Sequence, residues 1–136
     1  MHLSNCGIDR RVVISSVWIL VVLNYLYADV MVILGGHGAA TPEEAELVAS
    51  LSTPEMFLVA AIYLQLAMVM IVLSRVLPYG INRWANVIVA ALHALGALAS
   101  LLVVTNAIYY IFFVVVEVSA LLFIIWYAWT WAKPQQ

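Results

Sequence analysis

Residues 109–131 read YYIFFVVVEVSALLFIIWYAWTW and place one carboxylate, Glu117, in an otherwise apolar stretch. The stretch is long enough to cross a bilayer, because an α-helix needs about 20 apolar residues to span about 30 Å of hydrocarbon. Insertion scales put an aspartate at the centre of such a helix at about 2.5 to 3.5 kcal/mol. The membrane helix and the acid within it both need an explanation from the rest of the sequence.

The composition of the whole chain is that of a membrane protein. Of 136 residues, 67% are hydrophobic and 9% are charged, which leaves too little polar surface to cover a water-soluble domain. Four apolar segments have nearly the spanning length, at residues 12–34, 56–77, 84–104 and 107–131. The longest stretch between them, residues 35–54, has room only for a short helix. We therefore predict an all-α single domain, residues 1–136, folded as a transmembrane four-helix up-down-up-down bundle.

The basic residues predict the orientation of the chain. They precede the first segment, lie between the second and third, and follow the fourth, at Arg10, Arg11, Arg75, Arg83 and Lys133. Because cytoplasmic loops are enriched in Lys and Arg, both termini are predicted to be cytoplasmic, in a multi-pass protein of the plasma membrane. Scattered basic residues and a net charge of -2 provide no phosphate-binding surface, so no nucleic-acid partner is expected.

Two capping signals lie on the opposite side of the membrane. Thr41 is followed by Pro42 and, three residues after it, by Glu44, which is the pattern of a capping box. Before the second apolar segment, either Ser52 or Thr53 is predicted to cap the helix. A short external helix is therefore expected ahead of the second membrane helix.

One polar side chain per segment is predicted to lie near the middle of the membrane. With a rise of about 1.5 Å per residue, each lies about 14 to 18 Å from the start of its helix. They are Asn24, Gln65, His93 and Glu117. If the helices turn these faces inward, the four groups meet in one layer. Glu117 would then be neutral and hydrogen-bonded to Gln65 or His93, or charged and paired with a protonated His93.

A second acid is predicted above this layer, because Asp29 and Tyr25 lie four residues apart on one face of the first helix. An ionisable group inside a membrane is costlier than an amide, so we interpret both acids as functional. Amides also join helices by hydrogen bonds, and this is the interpretation we favour for the two amides of the layer, Asn24 and Gln65. The candidates for binding a ligand or proton are Glu117, His93, Asp29, Gln65, Asn24 and Tyr25.

A second candidate site lies at the cytoplasmic start of the third segment. The free backbone N–H groups there, with Asn82, Arg83 and Asn86, would suit an anion or a lipid headgroup. The alternative, which we favour, is a helix start whose arginine only sets orientation. We find no catalytic pair, metal cluster or cofactor motif in the sequence, so we predict no enzymatic activity, no metal site and no cofactor.

Three strings resemble those of a known family. NYLYADVM (residues 24–31), SRVLPYGINRWANVIVA (residues 74–90) and the stretch 109–131 are similar to domain of unknown function family 6326, small four-helix membrane proteins of bacteria and archaea. The resemblance implies the fold and a membrane location, and it brings no established activity. It directs attention to the residues inside those strings, namely Asp29, Asn82, Arg83, Asn86 and Glu117.

Two functional hypotheses follow from these observations. The first is a small carrier or binding protein whose midplane site around Glu117 takes a proton, a cation or a small polar ligand. The second is a non-catalytic membrane subunit that stabilises or regulates a partner, with the polar layer joining the helices. Membrane lipids are the expected partners, and a second copy of the chain or another membrane protein is a further candidate.

Overall fold

The computed structural model describes residues 9–34, 41–103 and 108–132. In these ranges the chain forms five α-helices and no strand, which confirms the prediction of an all-α protein. The helices are α1 (Arg10–Leu34), α2 (Pro42–Leu51), α3 (Pro54–Val76), α4 (Tyr79–Ser100) and α5 (Ile108–Trp129). Some predicted features lie outside the described residues, namely Lys133, residues 35–40 of the loop, and the segment ends at residues 104 and 107.

Four of these helices, α1, α3, α4 and α5, are long and apolar enough to cross a membrane. They correspond to the four predicted segments, except that α4 begins at Tyr79 and not at Trp84. Pro78 is the N-cap residue, and its carbonyl oxygen accepts a hydrogen bond from the Asn82 N–H at 2.9 Å. The hydropathy pattern does not reveal the start of α4, because residues 79–83 include the polar Asn82 and the charged Arg83.

The predicted capping box of α2 is confirmed. The Thr41 hydroxyl accepts a hydrogen bond from the Glu44 N–H at 3.2 Å, and the Glu44 carboxylate accepts one from the Thr41 N–H at 3.1 Å. Thr53, rather than Ser52, caps α3 by accepting from the Met56 N–H at 3.3 Å. Helix α2 has no buried residue. Its ends are therefore defined by capping and not by packing against the longer helices.

The four long helices pack around a shared apolar core. Helix α1 contacts α3 and α5, and α4 contacts α5 and α3. The largest core side chains include Trp18, Met70, Leu121 and Ile124, each with 1% or less of its surface exposed. Large apolar side chains also cover the outward faces of these helices, where they are exposed. This distribution suits helices that contact lipid on the outside.

The arginines join helix ends. Arg10 donates to the Tyr127 carbonyl at 3.0 Å, and its guanidinium carbon lies 4.6 Å from the Tyr127 ring centroid. Arg11 donates to the Arg75 carbonyl at 3.4 Å, and Arg75 donates to the Ser15 hydroxyl at 2.8 Å. These contacts bring the start of α1 and the ends of α3 and α5 together. We call this end of the molecule the arginine end.

Candidate functional site

The first group of buried polar side chains lies near the arginine end and consists of Trp18, Ser74, Asn82 and Asn86. We call it the amide cluster, and all four side chains are fully buried. The side-chain oxygen of Asn86, Oδ1, accepts from the Trp18 indole N–H at 2.7 Å and from the Ser74 hydroxyl at 2.9 Å. The Asn86 amide nitrogen donates to the Asn82 backbone and side-chain oxygens, at 2.8 and 2.6 Å. The cluster thus joins α1, α3 and α4.

Asn82 completes the cluster by capping α3. Its amide nitrogen donates to the Ser74 carbonyl at 2.7 Å and to the Leu77 carbonyl at 3.4 Å. In a continuous helix the Ser74 carbonyl would accept from residue 78, but Pro78 has no backbone N–H to donate. The Asn82 side chain supplies the missing donor. Asn82 and Asn86 are therefore explained by the structure they hold together.

These contacts account for two of the three residues predicted to bind an anion or a lipid headgroup, Asn82 and Asn86. The Asn82 and Asn86 side-chain amides point into the interior, where backbone carbonyl oxygens accept their hydrogen bonds. The third residue, Arg83, has a buried Nε with no hydrogen-bond partner among the described residues, and its role stays a prediction. Arg83 is partly buried, and its guanidinium carbon lies 5.3 Å from the Trp129 ring centroid. This position agrees with the alternative of an arginine at the membrane boundary beside an aromatic anchor.

The second group consists of Tyr25, Tyr63, His93 and Glu117, which we call the tyrosine cluster. The Tyr25 hydroxyl lies 2.9 Å from His93 Nδ1 and 3.4 Å from the Tyr63 hydroxyl. The Tyr63 hydroxyl donates to the His93 carbonyl at 2.9 Å, and the centroids of these two rings are 4.0 Å apart. Glu117 is 5% exposed and interacts electrostatically with Tyr25. Each of the four long helices supplies one member.

Two atoms of the tyrosine cluster are buried and have no hydrogen-bond partner among the described residues, Glu117 Oε1 and His93 Nε2. An unpaired buried polar atom costs about 1 to 3 kcal/mol, so native structures contain few of them. All the buried side-chain atoms of the amide cluster, in contrast, have partners in the described part of the chain. The two clusters therefore differ in hydrogen bonding although both lie inside the protein.

A cavity of about 590 Å³ borders the tyrosine cluster. All four long helices line it, and apart from its polar residues the wall is apolar, formed mainly by alanine and phenylalanine. None of the described lining residues is basic. The polar lining consists of Tyr25, Asp29, Tyr63, Ser100, Tyr110 and Glu117. The cavity thus has apolar walls, two carboxylates and four hydroxyl groups.

Helix α3 creates the space. Its buried residues begin at Ala67, so its first half does not pack into the core. Tyr63 bridges this gap to α4, and a Cβ atom added at Gly96 would overlap the Tyr63 ring. The glycine at this position lets the ring lie against the α4 backbone. Beyond Tyr63, Ala60 and Ala97 line the cavity with small side chains.

The structure places four of the six predicted ligand-binding residues at this site. Tyr25, Asp29 and Glu117 line the cavity. His93 does not line it, but its Nδ1 lies 2.9 Å from the Tyr25 hydroxyl. Asp29 is exposed as well, which places it at the rim. Asn24 is buried, but its amide donates to the Phe113 carbonyl at 2.9 Å and joins α1 to α5. Asn24 therefore has the helix-joining role that we favoured for it.

The prediction that Gln65 faces the interior layer is wrong, because its side chain is exposed. The buried face of α3 passes through Ala67 and Met70. Gln65 is two positions before Ala67, about 200° around a helix with 3.6 residues per turn, and so lies on the opposite face. Tyr25 lines the same cavity as Glu117, whereas the sequence predicted Gln65 or His93 as the partner of this acid.

Sequence reasoning missed Tyr63 and Tyr110, both of which line the cavity. A signal for Tyr63 was available, because it lies only two positions before Gln65 in the second segment. A tyrosine at that depth needs a partner for its hydroxyl. For Tyr110 the sequence contains no such signal, since aromatic residues near helix ends commonly mark the interface.

The sequence of the chain matches one known protein family. A family model described as a family of unknown function (DUF6326) matches residues 1–136, the whole chain. The chain belongs to this family. Membership in DUF6326 confirms the resemblance seen in the three strings. No match was found among curated proteins or solved structures.

The chemistry open to this DUF6326 protein follows from the cavity lining. Glu117 and Asp29 accept hydrogen bonds and attract positive charge, and the tyrosine hydroxyls both donate and accept. The apolar walls favour the uncharged parts of a bound molecule. Across the described residues, no group of three or more His, Cys, Asp or Glu side chains could hold a metal ion. The cavity therefore offers a few polar contacts within apolar walls.

Proposed function

We propose that this protein is a membrane-embedded carrier or binding protein that takes a proton, a cation or a small polar ligand beside Glu117. The observation that supports this proposal is the buried Glu117 Oε1, which has no hydrogen-bond partner among the described residues and borders a cavity of about 590 Å³. A side chain that only joins helices bonds its neighbours with its polar atoms, as Asn86 does. Glu117 keeps an oxygen for another partner.

The proposal includes an up-down-up-down bundle in the plasma membrane with both termini cytoplasmic. The four described arginines support it, because Arg10, Arg11, Arg75 and Arg83 lie at helix ends and the positive-inside rule assigns such ends to the cytoplasm. The cavity residues of α1 and α3 lie toward the opposite ends of those helices. The site would then lie in the outer half of the membrane.

The second candidate is a non-catalytic membrane subunit that stabilises or regulates a partner. Gln65 favours it, because an exposed glutamine near the middle of a membrane helix leaves an amide in contact with hydrocarbon. A second copy of the chain or another membrane protein would cover that amide and hydrogen-bond to it.

Carbodiimide labelling separates the two functions. Dicyclohexylcarbodiimide partitions into bilayers and modifies carboxyl groups that it can reach, and mass spectrometry of peptides locates the adduct. In protein reconstituted into phosphatidylcholine vesicles, we expect an adduct on Glu117, none at this position in Glu117→Gln, and unchanged labelling in Gln65→Leu.

An unreactive Glu117 in folded protein would contradict the binding function, because the carboxyl would then be closed off from the cavity. The subunit hypothesis makes a different prediction for Gln65→Leu. If the chain self-associates through α3, this variant should shift the oligomeric state measured by single-molecule photobleaching in vesicles. Glu117→Gln should leave the oligomeric state as it is.

A further inference from the structure

We propose that the cavity binds an organic cation, namely a protonated amine or quaternary ammonium group with apolar substituents. This inference rests on the proposed function and narrows its ligand to one chemical class. Four properties of the cavity support it: charge, volume, aromatic lining and the positions of the two acids.

The charge of the lining is the first property. Glu117 and Asp29 are acidic, and no described lining residue is basic. The arginines near helix ends do not reach the cavity, because Arg10, Arg11 and Arg75 bond to groups at the arginine end. A buried charge is stable only when it is paired, so an ionised Glu117 needs a positive partner from outside the described chain. An anionic ligand would face two carboxylates and no compensating charge.

The volume and the apolar wall exclude a bare metal ion as the best fit. Small-molecule sites commonly have about 300 to 1,000 Å³, and the 590 Å³ found here lies in that range. A calcium ion takes about six to eight oxygen ligands held close together, whereas the described residues contain no cluster of three acidic or histidine side chains. A proton needs no space of this size. The apolar wall matches a ligand with hydrocarbon substituents.

Aromatic side chains supply the third property. Five of them line the cavity, Tyr25, Phe57, Tyr63, Tyr110 and Phe113. The three tyrosines line the same cavity as the Glu117 carboxyl that would hold the positive charge. Aromatic rings attract ammonium groups through their negative faces, and the attraction grows when water is excluded. Aromatic cages are a recurring arrangement for binding quaternary ammonium groups.

The two acids lie at different depths. Asp29 is exposed at the rim, and Glu117 is 5% exposed at the inner wall. Both acids line the same cavity, so a cation attracted by Asp29 would reach Glu117 without leaving the cavity. Asp29 acts in this account as an attracting group and Glu117 as the binding group.

Protection from carbodiimide labelling tests the ligand class with matched probes. Benzyltrimethylammonium carries the positive charge, neopentylbenzene has the same shape without charge, and benzenesulfonate is negative. In phosphatidylcholine vesicles, we expect millimolar benzyltrimethylammonium to slow labelling of Glu117 at least tenfold. Neopentylbenzene and benzenesulfonate should change the rate less than twofold.

Calorimetric titration of benzyltrimethylammonium into the purified protein provides the second measurement. Glu117→Gln should weaken binding at least tenfold, Asp29→Asn should weaken it about threefold, and Gln65→Leu should leave it unchanged. Retained affinity in a folded Glu117→Gln protein would overturn the assignment of the binding group.

The outcomes distinguish the two proposals. Equal protection by neopentylbenzene, or no protection by any probe while Glu117 still reacts, would overturn the organic-cation class and leave the binding cavity in place. A Glu117 that never reacts would instead remove the proposed function, and the ligand class with it.

Discussion

The amide cluster is built from buried polar side chains and the tyrosine cluster from buried and partly buried ones, all on the long apolar helices, yet the two differ in hydrogen bonding. In the amide cluster every buried side-chain atom has a partner among the described residues, and its bonds join α1, α3 and α4. In the tyrosine cluster Glu117 and His93 each keep an atom unpaired, and a cavity borders the group. Polarity inside a membrane protein therefore does not mark a site by itself. Hydrogen-bond completeness separates the structural cluster from the candidate site.

The contrast has an origin in the packing of α3. Near its end, Ala67, Met70 and Ser74 are buried against the neighbouring helices. Near its beginning no residue is buried, and Tyr63 alone reaches α4 by a hydrogen bond to the His93 carbonyl. The same helix thus closes the interior at the arginine end and leaves it open at the other end.

Breaking the amide cluster should have the largest effect on stability. Asn86→Ala removes four hydrogen bonds and leaves the Trp18 N–H without its acceptor. We expect a loss of about 2 to 4 kcal/mol in the free energy of unfolding, from hydrogen bonds of about 0.6 to 1.7 kcal/mol each in membranes and from unpaired buried groups. Reversible unfolding in mixed micelles measures it.

Ser119→Ala is the matched control, because the Ser119 hydroxyl is exposed and bonds only to Val115 of its own helix. This change should stay within about 0.5 kcal/mol of the unmodified protein, as surface substitutions commonly do. A loss below about 1 kcal/mol in Asn86→Ala would contradict the structural role of the cluster, since a single membrane hydrogen bond can supply that much.

The gap bridged by Tyr63 is the next point to test. Gly96→Ala places a methyl group where the Tyr63 ring lies, so the ring must move and weaken its hydrogen bond to the His93 carbonyl. We expect a loss of about 1 to 2 kcal/mol, the range of moderate overpacking. Gly80→Ala is the control, because nothing lies within 4 Å of a Cβ added there. Equal stability of the two variants would show that Tyr63 does not lie against α4.

The capping box of α2 should have the smallest of these effects and a local one. Thr41→Ala removes the acceptor for the Glu44 N–H, and N-cap losses are commonly about 1 kcal/mol. Because α2 has no buried residue, we expect faster amide hydrogen exchange in α2 alone and unchanged global unfolding. A lower global stability would mean that α2 packs on the other helices.

Much of the architecture was predictable because it depends on local pattern. The four apolar segments match α1, α3, α4 and α5, and the string from Thr41 to Glu44 predicted the capping box. Asp29 and Glu117 were singled out by the cost of an acid in hydrocarbon, and both line the cavity. Family membership also followed from short strings and is confirmed over the whole chain.

The rest depends on how helices turn and separate, which one sequence does not determine. Gln65 was placed inside because depth in the membrane is known from position, whereas the direction of a side chain depends on which face of α3 packs. Asn82 and Asn86 were interpreted as possible headgroup ligands because the sequence does not show what they bond to. Trp18 is far from them in sequence, and Ser74 lies on another helix. The cavity itself arises from a gap between α3 and α4, and nothing in the hydropathy pattern encodes that gap.

The free energy of unfolding of Glu117→Gln tests most directly whether Glu117 serves binding and not stability. Glu117 Oε1 has no hydrogen-bond partner among the described residues. Replacing the acid by an amide should therefore lower the free energy of unfolding by about 0.5 kcal/mol or less, or should raise it. A loss of about 2 kcal/mol or more, comparable with Asn86→Ala, would show that the acid holds the helices together, as a broken buried network does. The account would then be contradicted at its centre.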